Sequence, residues 1–299
     1  MSSFISYLIS GISLGSVYAI IALGYTMVYG IAKMLNFAHG DVIMVGSYVV
    51  YVAVSGMGLN PILAILLSII ICTLMGVVIE GVAYRPVAYR PLRDASPLAV
   101  LITAIGVSYL LQNVALLIWG ADTKSFSNVI SLPSLKLAGG SIVITGVTIV
   151  TIIGGILIMA GLMLFISKTK TGQAMLAVSE DKGAAQLMGI NVNKTISITF
   201  AIGSGLAAIA GVLLCSAYPS LTPYTGAMPG IKAFVAAVFG GIGSIPGAFI
   251  GGVVLGILEI FGKAYISSQM ADAIVFGVLI VVLVVKPTGI LGKNIQEKV

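Results

Sequence analysis

The sequence predicts an all-α polytopic membrane protein of about eight or nine transmembrane segments, some of them broken or re-entrant. Three observations carry that prediction. Of 299 residues, 59% are hydrophobic and only 8% charged, with a mean hydropathy of +1.16; a water-soluble domain carries roughly 25% charge. Four windows, residues 4–31, 95–121, 137–167 and 195–231, contain no Asp, Glu, Lys, Arg or His, and about 20 apolar residues suffice for one crossing. These runs are continuous, whereas a barrel strand alternates over only ~10 residues. The composition excludes an ordinary cytosolic enzyme, a nucleic-acid binder and a disordered tail, and it makes membrane lipid the surrounding phase.

Charges and turn residues divide the chain into nine apolar segments. Residues 4–31 are the first. Residues 35–56 follow, interrupted near their start by the polar cluster Asn36, His39 and Asp41. Residues 61–83 begin at Pro61 and stop before Arg85, and residues 97–119 run from Pro97 to Trp119. The fifth and sixth segments are 142–167 and 195–217. The seventh, 231–242, spans only ~18 Å at 1.5 Å per residue, too short for a ~30 Å hydrocarbon core. It is therefore half of a broken helix or a re-entrant segment. Residues 247–262 and 271–285 complete the set.

The net charge of +6 comes from 15 basic and 9 acidic residues. Ten of the basic ones lie in a loop at 84–96 (Arg85, Arg90, Arg93), a loop at 168–194 (Lys168, Lys170, Lys182, Lys194) and a tail at 286–299 (Lys286, Lys293, Lys298). Lys124, Lys136, Lys232 and Lys263 fall on the opposite side, and Lys33 is ambiguous. The positive-inside rule puts the ten in the cytoplasm, and the segment count then puts the N-terminus outside. Residues 1–3 lack a positive region and the run after them is too long for a signal peptide, so they are expected in the mature chain. Cys72 and Cys215 sit in apolar runs and read as small hydrophobes. Residues 1–299 read as one transmembrane domain without a hydrophilic domain.

No segment reads as a nucleotide site. The P-loop pattern has its nearest match at residues 256–263, one residue too long and followed by Ala264. Gly241-Ile242-Gly243 lacks the spacing and context of a dinucleotide loop. The chain is expected to bind no cofactor, to hold no metal on its single histidine and to carry no catalytic residue. Ionisable groups inside a membrane are functional candidates by default. Asn36, His39, Gly40 and Asp41 lie either at a broken helix beside the transport path or at a cytoplasmic interface. Glu80, Glu259 and Asp272 read as interface or capping charges near helix ends, which disfavours a proton-coupled carrier.

Glycine makes up 37 of the residues. The pairs Gly11/Gly15, Gly247/Gly251 and Gly252/Gly256 have the spacing of close helix contact. The run Gly240, Gly241, Gly243, Ser244 to Gly247 is either the unwound centre of a discontinuous helix, matching a break at residues 30–40, or a tight hairpin; paired breaks point to a central binding or gating region. In the loop at 168–194, residues 174–189 read as one short helix with Glu180, Asp181 and Lys182 on one turn. The exposed apolar residues Leu187, Met188 and Ile190 point to a docking surface for a cytoplasmic partner.

The segment GISLGSVYAIIALGYTMVYGIAKMLNFAHGDVIMVGSYV (residues 11–49) resembles the N-terminal signature of branched-chain amino acid ABC importer permeases of the LivH type. Further likenesses are SEDKGAAQLMGINVNKTISITFAIGSGLAAIAGVL (179–213), IKAFVAAVFGGIGSIPGAFIGGVVLG (231–256) and KPTGILG (286–292), in order along nearly the whole chain. The resemblance implies an ABC importer permease fold in a prokaryotic plasma membrane. It implies a related second permease, two cytoplasmic ATPases that carry the ATP and Mg, and an extracytoplasmic binding protein. It also makes Ser179, Glu180, Asp181, Lys182, Ala185, Leu187 and Gly189 the segment that couples to the ATPase. Leucine, isoleucine and valine are the expected cargo; related permeases are associated with urea, short-chain amides or other amino acids.

Overall fold

The computed structural model describes residues 2–88, 97–126, 129–130, 132–137 and 142–292. The predicted arginines 90 and 93 and lysines 293 and 298 lie outside them. Among the described residues, six helices are long and apolar enough to cross a membrane. They are α1 (Ser2–Ala32), α3 (Pro61–Ile79, continued by a π-turn to Tyr84), α5 (Pro97–Trp119), α6 (Gly146–Lys168), α9 (Val192–Ala217) and α11 (Ile245–Tyr265). Shorter apolar helices are α2 (His39–Tyr51, with a π-turn to Gly56), α10 (Ala227–Gly240) and α12 (Ala271–Val285). Small helices α4 (Arg85–Ala88), α7 (Lys170–Glu180) and α8 (Lys182–Leu187) lie between them.

Glycine decides which helices touch. A Cβ on Gly15 would stand 2.7 Å from the Val253 Cα, and one on Gly11 2.8 Å from that of Ile257. Gly252 meets Ala19, and Gly256 meets Gly15. The small-residue pairs therefore mesh α1 with α11 at backbone distance, where dispersion replaces the hydrophobic drive that lipid cannot supply. Gly76 and Gly46 do the same for α3 and α2 against α9, meeting Ser204 and Ala208.

The pairings repeat with inverted direction. α1 packs along α11 as α9 packs along α3, and α1 holds α10 as α9 holds α2. α1 and α9 touch one another at the centre. The helices α1, α2, α3, α5 thus correspond to α9, α10, α11, α12 with opposite sense.

Both members of the α2/α10 pair are half-helices. After α1, Lys33 takes φ 58° and residues 33–38 run non-helically back toward the middle of the bundle before α2 starts at His39. After α9, residues 218–226 do likewise, through strand β4 (Ser220–Leu221) and a turn, before α10 starts. In the first break Met34, Asn36 and Ala38 are buried in protein, where nonhelical backbone is tolerated; in the second Leu221 is buried while Tyr218 and Tyr224 are exposed. The Gly240–Gly247 run is the hairpin of the two expected alternatives: α10 ends at Gly240, Gly241 and Gly243 take φ 105° and 91°, and Ser244 caps α11 by accepting from the Gly247 N–H. The break in the second half comes earlier, at 218–226.

Two other expectations are corrected. Residues 142–144 form a strand, β3 (Ile142–Ile144), paired with β2 (Leu135–Leu137), and the helix starts only at Gly146. Strand β1 (Lys124–Ser125) pairs with β4. The residues expected to form one helix at 174–189 form parts of two, because Asp181 leaves helical geometry (φ −152°, ψ 114°) and caps α8.

Candidate functional site

The two half-helices begin at one place. Neither has a side-chain cap at its N-terminus, where Ala38 and Gly226 stand. A Cβ on Gly40 would lie 2.6 Å from the Gly226 carbonyl oxygen, and one on Gly230 2.8 Å from the Gly40 Cα. Only glycine permits this crossing. From it α2 runs toward the end that holds Trp119 and Leu221, and α10 runs the other way. Two partially positive helix ends therefore share one spot.

A cavity of about 220 Å³ opens beside that spot. Its lining includes Gly40, Asp41, Ser108 and Gln112 together with Tyr25, Phe37, Ile105 and Ile231, so polar and apolar groups meet in it. Asp41 is buried, and its Oδ1 accepts from Gln112 Nε2 at 2.9 Å. Gln112 also reaches the Ser108 hydroxyl at 3.3 Å.

Of the polar cluster, only Gly40 and Asp41 line this space. The His39 ring turns toward α1, 4.6 Å from the Tyr25 ring and over Gly24. Its Nε2 has no hydrogen-bond partner among the described residues. Asn36 accepts from the Tyr84 hydroxyl at 2.9 Å, so it fastens the re-entrant segment to the π-turn of α3. Gly240, Gly241, Gly243 and Ser244 lie at the far end of α10, ~21 Å away at 1.5 Å per residue. There Gly241 packs on Gly292, and the Ile290 and Leu291 N–H groups donate to the carbonyls of Phe239 and Gly240. The residues expected as path or gate candidates thus fall into two separate places.

A second polar cluster was read differently from sequence. Lys232 is not in a loop; it is buried between α10, α11 and α12, bonded to Glu259 at 2.8 Å and Asp272 at 2.6 Å. Glu259 also binds Lys263 at 2.6 Å and accepts from the Tyr18 hydroxyl at 2.9 Å. Glu80, likewise buried, pairs with Arg85 at 2.8 Å and accepts from Ser197. Both acids are interface charges, but inside the bundle, where full pairing offsets desolvation. A hollow of about 550 Å³ lies beside Arg85, Asn191, Lys194 and Ser197; it touches neither half-helix.

The arm of α7 and α8 stands at the end where Arg85, Lys168, Lys170, Lys194 and Lys286 gather. Met175, Val178 and Ala185 hold it to the body. Lys182 donates to the Ala32 carbonyl at 2.9 Å, and burial, aided by nearby Lys33, pulls its ammonium below the usual lysine range. Asp181 accepts from the Gly183 and Ala184 N–H groups. Ser179 bonds back to the Leu176 carbonyl. Leu187 and Met188 are 90% and 82% exposed, while Ile190 packs inward. Glu180 faces outward, and Gly189 closes α8 at φ 82°.

Gln112 and Ser108 escaped the sequence reading, although two polar residues four apart on a mostly apolar helix are a usable signal. So did the second break, which Pro219, Pro223 and Gly226 mark within one apolar run.

Comparison with known proteins agrees with this architecture. The pattern of one family, described as branched-chain amino acid transport system / permease component, matches residues 7–284. The high-affinity branched-chain amino acid transport system permease protein BraD of Pseudomonas aeruginosa is 44% identical over 308 residues, covering 99% of this chain and 98% of its own. The corresponding permease protein LivH of Escherichia coli is 44% identical over 312 residues with the same coverage. Among solved structures, PsaBC from Streptococcus pneumoniae in complex with Fab superposes with a TM-score of 0.50 at 15% identity, covering 95% of this chain and 91% of that one. With its family pattern matched nearly end to end and its relatives aligned over their full length, this multi-pass chain belongs to the permease components of branched-chain amino acid transport systems.

Proposed function

We propose that this chain forms the membrane pathway of an ATP-driven importer for leucine, isoleucine and valine. It works beside a related second permease, receives cargo from an extracytoplasmic binding protein, and is driven by two cytoplasmic ATPases that hold the ATP and Mg. The observation that carries the reading is the meeting of two oppositely directed half-helices at a small cavity lined by both polar and apolar groups. Discontinuous helices with that arrangement supply a central site between two gates.

The α7–α8 arm is the handle in this reading. Leu187 and Met188 offer an apolar contact and Glu180 a charged one to an ATPase, while Met175 and Val178 carry displacement into α1, α6 and α9. The partner's closure would then favour one packing of the bundle over another.

Removing this chain while keeping the binding protein should abolish ATP-dependent leucine uptake in membrane vesicles. Unchanged uptake would overturn the reading, and uptake that survives ATP depletion would replace it with a gradient-driven carrier.

A further inference from the structure

Asp41 has a property that the permease reading alone does not require. It is 2% exposed, deep in the bundle, and no cation faces it. The four ion pairs among the described residues involve Glu80, Glu259 and Asp272 only. Every other acid buried to this degree, Glu80 and Glu259, has its basic partner. Among the described residues Asp41 has only neutral donors, Gln112, Ser108 and its own backbone N–H. A buried carboxylate left without a counter-charge is costly, and this one lines the cavity at the crossing of α2 and α10.

The rest of the lining combines polar and apolar groups. Asp41 itself stands in the first turn of α2, and the start of α10, which has no side-chain cap, offers a second partially positive helix end beside it, with Gly40, Gly226 and Gly230 keeping side chains away from the backbone. Anionic groups are favoured at such ends. Phe37, Ile105 and Ile231 supply apolar lining. About 220 Å³ holds roughly seven water-sized groups at ~30 Å³ each, which is the scale of one small amino acid.

We propose that this cavity is a transient binding site for a zwitterionic amino acid with an apolar side chain. The substrate ammonium pairs with Asp41, its carboxylate lies toward the start of α10, and its side chain rests on Phe37, Ile105 and Ile231. The proposal rests on the permease reading and adds the recognition chemistry. It also separates amino acids from urea or amides, which carry no charge to answer Asp41.

The test uses the complete transporter in detergent or liposomes and a diazirine-bearing leucine analogue as probe. Photolabelling of the unaltered complex should place the adduct on residues around the cavity, such as Phe37 or Tyr109. Leucine should compete for labelling. 4-Methylpentanoate, which has the same side chain and carboxylate but no ammonium, should compete at least tenfold less well. Asp41→Asn should lower labelling about tenfold or more, the loss expected of one charge-assisted hydrogen bond, and Asp41→Glu should restore part of it.

Absence of label at the cavity, equal competition by 4-methylpentanoate, or Asp41→Glu labelling no better than Asp41→Asn would each overturn the proposal. If Asp41→Asn fails to assemble, the competition series on the unaltered complex decides alone. Leucine uptake by that unaltered complex tests the permease reading separately. Uptake without cavity labelling sinks the binding site and leaves the permease standing.

Discussion

At Gly256 an added methyl group would meet the backbone of Gly15 and stand 2.7 Å from the Gly11 carbonyl oxygen. Neither neighbour is a flexible side-chain end, so the strain falls on the α1–α11 seam. Gly256→Ala should therefore destabilise the protein by about 1–3 kcal/mol, read as a lower unfolding midpoint in detergent. Gly106→Ala, where nothing lies within 4 Å, should leave the midpoint unchanged. Sequence spacing identified the helix-packing glycines of this seam correctly. It could not identify Gly226 and Gly230, because their function depends on Gly40, which is almost two hundred residues away. The same limit applies to Asp41. Its type and its apolar neighbourhood were visible in the sequence, whereas the missing counter-charge is a property of the folded surroundings.

Among the elements, α10 carries an unusual load: a short apolar half-helix with a buried ion pair in its middle. Lys232 ties it to Glu259 on α11 and Asp272 at the start of α12, and Tyr18 on α1 joins the same carboxylate. Lys232→Met would leave buried Glu259 with the Tyr18 hydroxyl and, as its one cation among the described residues, the partly exposed Lys263. A loss of about 3–5 kcal/mol is expected, measurable as a fall in the unfolding midpoint. The double variant Lys232→Met, Glu259→Leu should recover most of it. The arm of α7 and α8 makes a different demand. Its geometry depends on the Asp181 cap and on Gly189 at φ 82°, a value closed to proline, whose ring fixes φ near −65°. Gly189→Pro, or lysines at Glu180 and Asp181, should lower transported leucine per ATP hydrolysed in reconstituted complexes; an unchanged ratio would count against the arm as the coupling element. Hydropathy located every long helix. It could not choose between hairpin and break at Gly240–Gly247, since both place glycine between apolar runs and only the docking of residues 289–292 decides.

Across the whole molecule, the basic residues that the structure describes at one end include Arg85, Lys168, Lys170, Lys194 and Lys286, with Lys124, Lys136 and Lys263 toward the other. Cysteine placed at Lys136 should react with a membrane-impermeant maleimide in intact cells. Cysteine at Lys170 should react only after permeabilisation. The reverse pattern would invert the orientation drawn from the charge distribution. Native Cys72 and Cys215 are buried and should stay silent. This sidedness was legible because it is written in local charge, while the inverted correspondence of α1, α2, α3, α5 with α9, α10, α11, α12 lies in packing and leaves little trace in the residues. That correspondence has a mechanical result. Two rods that start from a common point and run to opposite ends behave as the arms of a see-saw pivoting on Gly40 and Gly226. A rigid tilt of the pair would swing one tip outward as it draws the other in, so in the pathway proposed above a single pivot between two bare backbones would oppose both ends standing open together.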